Sequence, residues 1–174
     1  MSQQWAANDL ALTAKNLRLP IGLVLDTVEI NVQETNITSD PLQIQLEEAG
    51  TAEISVSESS IASFLEHLKP GGLSGFSVRI EDGIVHIQAV MQMIISIPVA
   101  ATCSLSITDE IQLVLELLDV SPAAGRQILE AQLANINPLF DVSQLPIAVT
   151  LTEVKAENGT IFLAGDLRPP DHLS

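Results

Sequence analysis

The sequence predicts an α+β domain built on antiparallel sheet, with two principal helices laid against a sheet face. Three observations lead there. Every odd-numbered position from Val85 to Ile107 is apolar, a period of two that belongs to extended chain. Short alternating segments come in pairs separated by turn residues. Two stretches switch to helical spacing and carry stop signals at their ends.

The strands come first in chain order. The apolar phase runs through Leu10, Leu12 and Ala14, shifts to Leu17, Leu19, Ile21, Leu23 and Leu25, then returns at Val28, Ile30 and Val32. A slip of one residue sends side chains to the opposite face, so each shift predicts a turn or a bulge. Leu42, Ile44 and Leu46 are expected to meet Ala52, Ile54 and Val56 in a hairpin tipped by Glu47-Glu48-Ala49-Gly50. A second hairpin sets Phe76, Val78 and Ile80 against Val85, Ile87 and Ala89 around Glu81-Asp82-Gly83, and a third joins Leu105 and Ile107 to Ile111, Leu113, Leu115 and Leu117 around Asp109-Glu110. The last closes on Asn158-Gly159, between Ile147-Val149-Leu151 and Ile161-Leu163; Asn-Gly is the strongest short hairpin signal, because both residues accept positive φ. At roughly 3.3 Å per residue the run from Val85 to Ile107 would cover about 75 Å as a single strand. Either one long bent strand or two in-phase strands results, and Pro98 inside it requires an edge, a bend or a bulge.

Ser57 is the expected N-cap of the first helix, with Ile61, Phe64, Leu65 and Leu68 at helical spacing and Pro70-Gly71-Gly72 ending it. The second is expected to start at Ser121, with Pro122 at its first position. It places Ile128, Leu129, Leu133 and Ile136 on one stripe before Asn137-Pro138.

At 174 residues the chain is long enough to bury roughly 70% of its unfolded surface as one domain. It is 47% hydrophobic yet carries a net charge of −15, with seven Lys and Arg against 22 Asp and Glu. Such a balance repels phosphate backbones, so nucleic acid is not an expected partner, and it opposes broad electrostatic docking on an anionic membrane. The cations Lys15, Arg18, Lys69, Arg79, Arg126, Lys155 and Arg168 are scattered. With Cys103 as the one cysteine, no intramolecular disulfide can form, and its place in the apolar phase marks it as a small buried hydrophobe. No signal peptide or run of about 18 apolar residues is visible; as it stands the chain reads as cytoplasmic, or as a cell-envelope protein if a leader was removed.

Catalytic constellations are missing from the pattern. His67, His86 and His172 stand in no metal-ligand spacing, and neither nucleophile elbows nor phosphate-binding glycine loops occur. The pairs Glu47-Glu48, Glu81-Asp82 and Asp109-Glu110 fall at expected hairpin tips, where solvated carboxylates protect edges. The expectation is a protein that is not an enzyme and uses no metal or cofactor. Aromatic residues are only 3%, so the interior is nearly all aliphatic, with Met91 and Met93 as its adaptable elements. Walls of that kind suit acyl chains; they equally suit an ordinary core, or a partner chain.

The order of elements carries a family resemblance. A first helix reading Ser57-Glu58-Ser59-Ser60-Ile61-Ala62-Ser63-Phe64-Leu65 precedes the Asp82-Gly83 hairpin and the long amphipathic strands. A second helix, Leu145-Pro146-Ile147 and the Asn158-Gly159 hairpin closing on Leu163-Ala164-Gly165 follow. From about Leu42 to Leu167 this resembles the LmeA-like family of bacterial phospholipid-binding proteins. Its members are similar to the tubular lipid-binding superfold typified by bactericidal permeability-increasing proteins. The resemblance implies a long, strongly curved antiparallel sheet wrapped around the helices and an apolar cavity between helix stripe and inner sheet face, with no catalytic residues. Typical members are exported or membrane-anchored, and this chain shows neither a leader nor a cysteine near its start.

The resulting expectation is one lipid-binding-like domain over residues 1–174, with 1–9 and 168–174 as flexible termini. It binds phospholipid or a similar acyl-chain ligand without catalysis, and transient membrane contact allows transfer. The expected lining is Ile61, Phe64, Leu65 and Leu68 from the first helix, Ile128, Leu129 and Leu133 from the second, and Met91, Met93, Ile95 and Ile97 from the sheet. An edge such as Lys69-Pro70-Gly71-Gly72 would open toward a membrane. The competing reading is a structural or interaction module whose apolar faces pack internally or on a partner, and the oligomeric state is left open.

Overall fold

The computed structural model describes residues 3–39, 43–46, 49–69, 72–145 and 148–167. Among these residues eleven strands and two α-helices follow one another as β1 (Gln4–Arg18), β2 (Val24–Thr38), β3 (Gln43–Leu46), β4 (Gly50–Ser57), α1 (Glu58–Leu68), β5 (Leu73–Glu81), β6 (Ile84–Gln92), β7 (Ser96–Thr108), β8 (Gln112–Ser121), α2 (Arg126–Ile136), β9 (Phe140–Asp141), β10 (Val149–Glu157) and β11 (Thr160–Leu167). The class is α+β and the strands pair antiparallel, with sheet curled as a half-barrel. Where one long sheet was expected there are two. One runs β1-β2-β4-β11-β10 with β3 also on β2, and the other is the meander β5-β6-β7-β8-β9.

The phase shifts of the N-terminal segment have a visible cause. β1 and β2 form a hairpin turning between Leu19 and Leu23, both buried. Asn16 at φ +55° and Glu34 at φ +37° interrupt it. The interior phase moves from Ala14 to Leu17 across the first and from Val32 to Thr35 across the second. Gln4–Asp9, expected as a loose terminus, extends β1 along Thr38–Gln33. Residues 168–174 lie outside the described residues.

One expected hairpin does not form. β3 pairs with β2 through Thr35↔Leu46 to Thr38↔Gln43, while β4 pairs with the same strand through Thr27↔Ser55 to Asn31↔Thr51. The two lie in line along one side of β2. Alternation and a charged break look the same in both arrangements; the long β2 supplies the partner that decides between them. Leu42 and Glu47-Glu48 lie outside the described residues.

The other three hairpins form in the expected register. Val78 faces Ile87 and Ile80 faces Val85, with Asp82 and Gly83 at positive φ in the turn. Ile107 faces Leu113, with Asp109 and Glu110 at positive φ, and Ala156 faces Ile161 around Asn158-Gly159. The run from Val85 to Ile107 is two in-phase strands, β6 and β7. Val85↔Cys103, Ile87↔Ala101, Ala89↔Val99 and Met91↔Ile97 pair odd with odd about a turn at Met93–Ile95. Pro98 sits where β7 has β6 on one side, before β8 begins pairing at Ala100, so its missing N–H costs no ladder bond to β8.

α1 begins where its cap chemistry sets it. The Ser57 side chain accepts from the Ser60 N–H at 3.2 Å, and the Asp26 carboxylate on β2 accepts from the Ser57 N–H at 2.6 Å and from the Ser60 hydroxyl at 2.9 Å. Glu58 in the first turn accepts from the Ile80 N–H at 2.7 Å, tying the helix to β5. Ile61, Phe64 and Leu65 are buried, and α1 packs on β5, β2 and β4. Lys69 ends it in left-handed geometry at φ +45°; Pro70 and Gly71 lie outside the described residues. α2 starts later than expected. Pro122 is extended, a 3-10 turn spans Ala123–Gly125, and the α-helix begins only at Arg126. None of its residues is fully buried.

One apolar cluster joins the sheets. Val28, Val32, Ile54, Val56, Ile161 and Leu163 from the first sheet meet Val78, Ile80, Val85, Cys103, Leu113 and Leu115 from the second, with Ile61, Phe64 and Leu65 from α1 between them. Backbone bonds splice the sheets at one end: Gly83 N–H to Ala156 O at 2.7 Å, and Gly159 N–H to Ile80 O at 2.9 Å.

Candidate functional site

The inner face of the second sheet is only partly covered by the core. Phe76 on β5, Ile87 on β6, Ala101 and Cys103 on β7 and Leu117 on β8 form a floor. Leu65 and Leu73 make one wall, and α2 roofs it with Leu129, Gln132, Leu133 and Ile136, which at i, i+3, i+4 and i+7 lie on one helical face. The cleft measures about 50 Å³, and Gln132 is its one polar lining side chain among the described residues. That is well below the roughly 300–1,000 Å³ of a preformed small-molecule site. The rest of the interior is plugged by the chain's own side chains.

What holds the roof is uneven. At its C-terminal end, Asn137 accepts from the Leu115 N–H at 3.0 Å and donates to the Leu115 carbonyl at 2.8 Å, and Leu139 and Phe140 follow fully buried. At its N-terminal end, which follows buried Gly125, Arg126 pairs among the described residues with Glu130 of the same helix, at 3.0 Å, both exposed. The helix is therefore pinned at one end and rests on half-buried Leu129 and Leu133 elsewhere.

Chemistry at the cleft is sparse. Burial pushes the Cys103 thiol up to about 11, so it is protonated and unreactive at neutral pH. Among the described residues no group of three or more His, Cys, Asp and Glu could hold a metal ion. The larger concavities carry polar groups beside apolar ones. One of about 450 Å³ on the first sheet presents Glu29, Glu53, Glu153 and Glu157 with Lys155; another of about 390 Å³ beside α1 presents Arg18, Ser59, Ser60, Ser63 and His67. Ile54, Phe162, Leu163 and Ala164 share the first, and on both an alkyl chain would have to desolvate charged groups.

Of the expected lining, Leu65, Leu129 and Leu133 come together at the cleft. Met91 packs beside them, on a small cluster of Leu73, Ala89 and Val99 that also touches Leu129. Ile97 is half-buried opposite Met91. Ile61 and Phe64 instead belong to the filled core, and Leu68 and Ile128 are exposed. Met93 and Ile95, expected in the lining, do not line the cleft: they are 64% and 69% exposed at the β6–β7 turn. Period two names a face, but at a strand's end the same phase continues into the turn, where no interior remains. Phe76, Ile87, Ala101, Cys103, Leu117 and Ile136 were missed as lining residues, although their strand phase or helix stripe already placed them on the inner face.

The family model of LmeA-like phospholipid-binding proteins matches residues 6–166 of the 174. No curated protein and no solved structure matches the chain. No helix among the described residues is long and apolar enough to cross a membrane. The aliphatic cleft beneath α2 is thus the candidate site in a chain that belongs to the LmeA-like phospholipid-binding family.

Proposed function

We propose that the protein holds a phospholipid without chemistry, its acyl chain entering between α2 and the inner face of the second sheet and its head group staying in water at the rim. The carrying observation is the combination of a nearly all-apolar cleft with a roof that buries no residue completely. A void of about 50 Å³ does not seat an acyl chain, so α2 swings outward about its Asn137 anchor and exchanges its contacts with Leu117 and Cys103 for contacts with the chain. The transition replaces apolar contacts with apolar contacts, which keeps its free-energy cost low. Transfer follows when the opened cleft meets a membrane.

Native mass spectrometry of gently purified protein, with mass spectrometry of its organic extract, tests this reading. Copurifying phospholipid supports it; a lipid-free chain that stays lipid-free after incubation with vesicles refutes it. The well-filled centre favours a second reading, an interaction module with an ordinary core. That module would be a lipid-free, defined oligomer in the same measurement.

A further inference from the structure

The turn between β6 and β7 is built against the rule that the neighbouring turns follow. Met93, Ile94 and Ile95 are 64%, 105% and 69% exposed, forming a convex apolar tip. Its polar groups are turned on one another: Met93 N–H donates to Ile95 O at 3.2 Å, and the Ser96 hydroxyl to Gln92 Oε1 at 3.2 Å. The other turns of this sheet carry Glu81-Asp82 and Asp109-Glu110, and Glu157-Asn158 lies against the first of them. Because turns of a meander alternate between ends, those carboxylates stand at the end opposite Met93–Ile95. From Gly83 to Thr108 no Asp, Glu, Lys or Arg occurs, in a chain of net charge −15.

Other exposed apolar groups share the tip's end. Leu68 closes α1 just before β5, whose first residue, Leu73, faces Met91, and Ile128 lies in the first turn of α2, after β8 has ended beside Ala100. They are 42% and 43% exposed. Two of the seven cations, Lys69 and Arg126, flank them. The N-terminal end of α2, where Arg126 pairs with Glu130 of the same helix, is at this end too.

We propose that the Gln92–Ser96 turn docks the protein on a phospholipid bilayer by shallow insertion of Met93, Ile94 and Ile95. A convex tip of three side chains is far smaller than the roughly 1,200–2,000 Å² of a stable protein interface, whereas a bilayer surrounds it on every side. The absence of charge lets those side chains enter the acyl boundary without desolvating an ion. The acidic turns face away and so permit approach, while the net charge of −15 repels like-charged lipid at long range, so docking favours zwitterionic over anionic surfaces. Insertion stands whether or not an acyl chain enters beneath α2.

The experiment is flotation of the full chain with phosphatidylcholine vesicles, comparing wild type with Ile94→Glu and with the control Phe162→Glu on the first sheet. Ile94 is fully exposed, so its replacement leaves the fold intact, which circular dichroism checks. Wild type and control bind, while Ile94→Glu partitions on the order of 100-fold more weakly. Mixing in phosphatidylglycerol at low salt weakens wild-type binding. An Ile94→Trp variant in a Trp5→Phe background shows blue-shifted emission with vesicles, quenched by brominated acyl chains. Equal binding of Ile94→Glu, tighter binding to anionic vesicles, or an emission that vesicles leave unshifted in the Ile94→Trp variant would overturn the proposal. So would an Ile94→Glu change that dissolves a wild-type dimer, since the occupant would then be a second copy.

Discussion

Replacing Ala101 with valine should plug the cleft. Ala101 lies on the floor beneath α2, in β7, where a β-branched side chain is favoured. The change adds two methyl groups next to a void of about 50 Å³. At about 0.8 kcal/mol each, discounted because Ala101 is only half-buried, they add about 1 kcal/mol of stability and raise Tm by about 2–4 °C. The same groups must be overpacked or displaced when an acyl chain occupies the cleft, a cost of about 1–3 kcal/mol that lowers loading about tenfold. Differential scanning calorimetry reads the first effect, and phospholipid per protein in organic extracts after vesicle incubation reads the second. A variant that is more stable yet loads as much lipid as wild type would refute the placement of the acyl chain. A variant that is less stable would show that the void is not as drawn.

Further predictions rest on other contacts. Cys103, its thiol held up at about 11 beneath α2, should resist a thiol reagent at neutral pH; Asn137→Ala, which unpairs the Leu115 N–H and carbonyl, should speed labelling severalfold and cost about 1–3 kcal/mol. Gly165→Ala should cost about 1–3 kcal/mol in urea unfolding, because a Cβ there would stand 2.8 Å from both the Thr150 carbonyl oxygen and Val149 Cγ1, beside the irregular register of Leu151 and Glu153. Hydrogen bonds from the Ser143 side chain and backbone, with Gln112, hold the Asp141 carboxyl below the ordinary carboxylate value. Its stabilising contribution is therefore present above the unfolded Asp pKa and is lost as pH falls through the depressed folded value, so Asp141→Asn should flatten that part of the acid-unfolding curve.

Local chemistry made much of the fold legible before any coordinates. Asp82-Gly83 and Asn158-Gly159 adopt positive φ readily, and Ser57 caps a helix wherever apolar spacing follows it. These signals act over a few residues and need no distant partner. The interval between Leu46 and Gly50 is different: it reads as a hairpin tip, yet β2, beginning more than twenty residues earlier, pairs with both flanking strands. The start of α2 differs from the expected one for a related reason, since proline at a first helical position is only permitted there, and Pro122 stays extended. At the site, Leu129 and Leu133 were readable from their stripe, but the stripe does not say what it covers.

The sequence alone determined the antiparallel α+β class, three of the four expected hairpins, α1 with its cap, and an aliphatic interior without catalytic spacing, because each follows from local propensity or from periodicity along one segment. Tertiary structure decided the division into two sheets, the shallowness of the cleft under α2 and the outward turn of Met93 and Ile95. Those depend on which faces meet and where pairing stops, and period two is the same for a side chain in the core as for one at the tip in water.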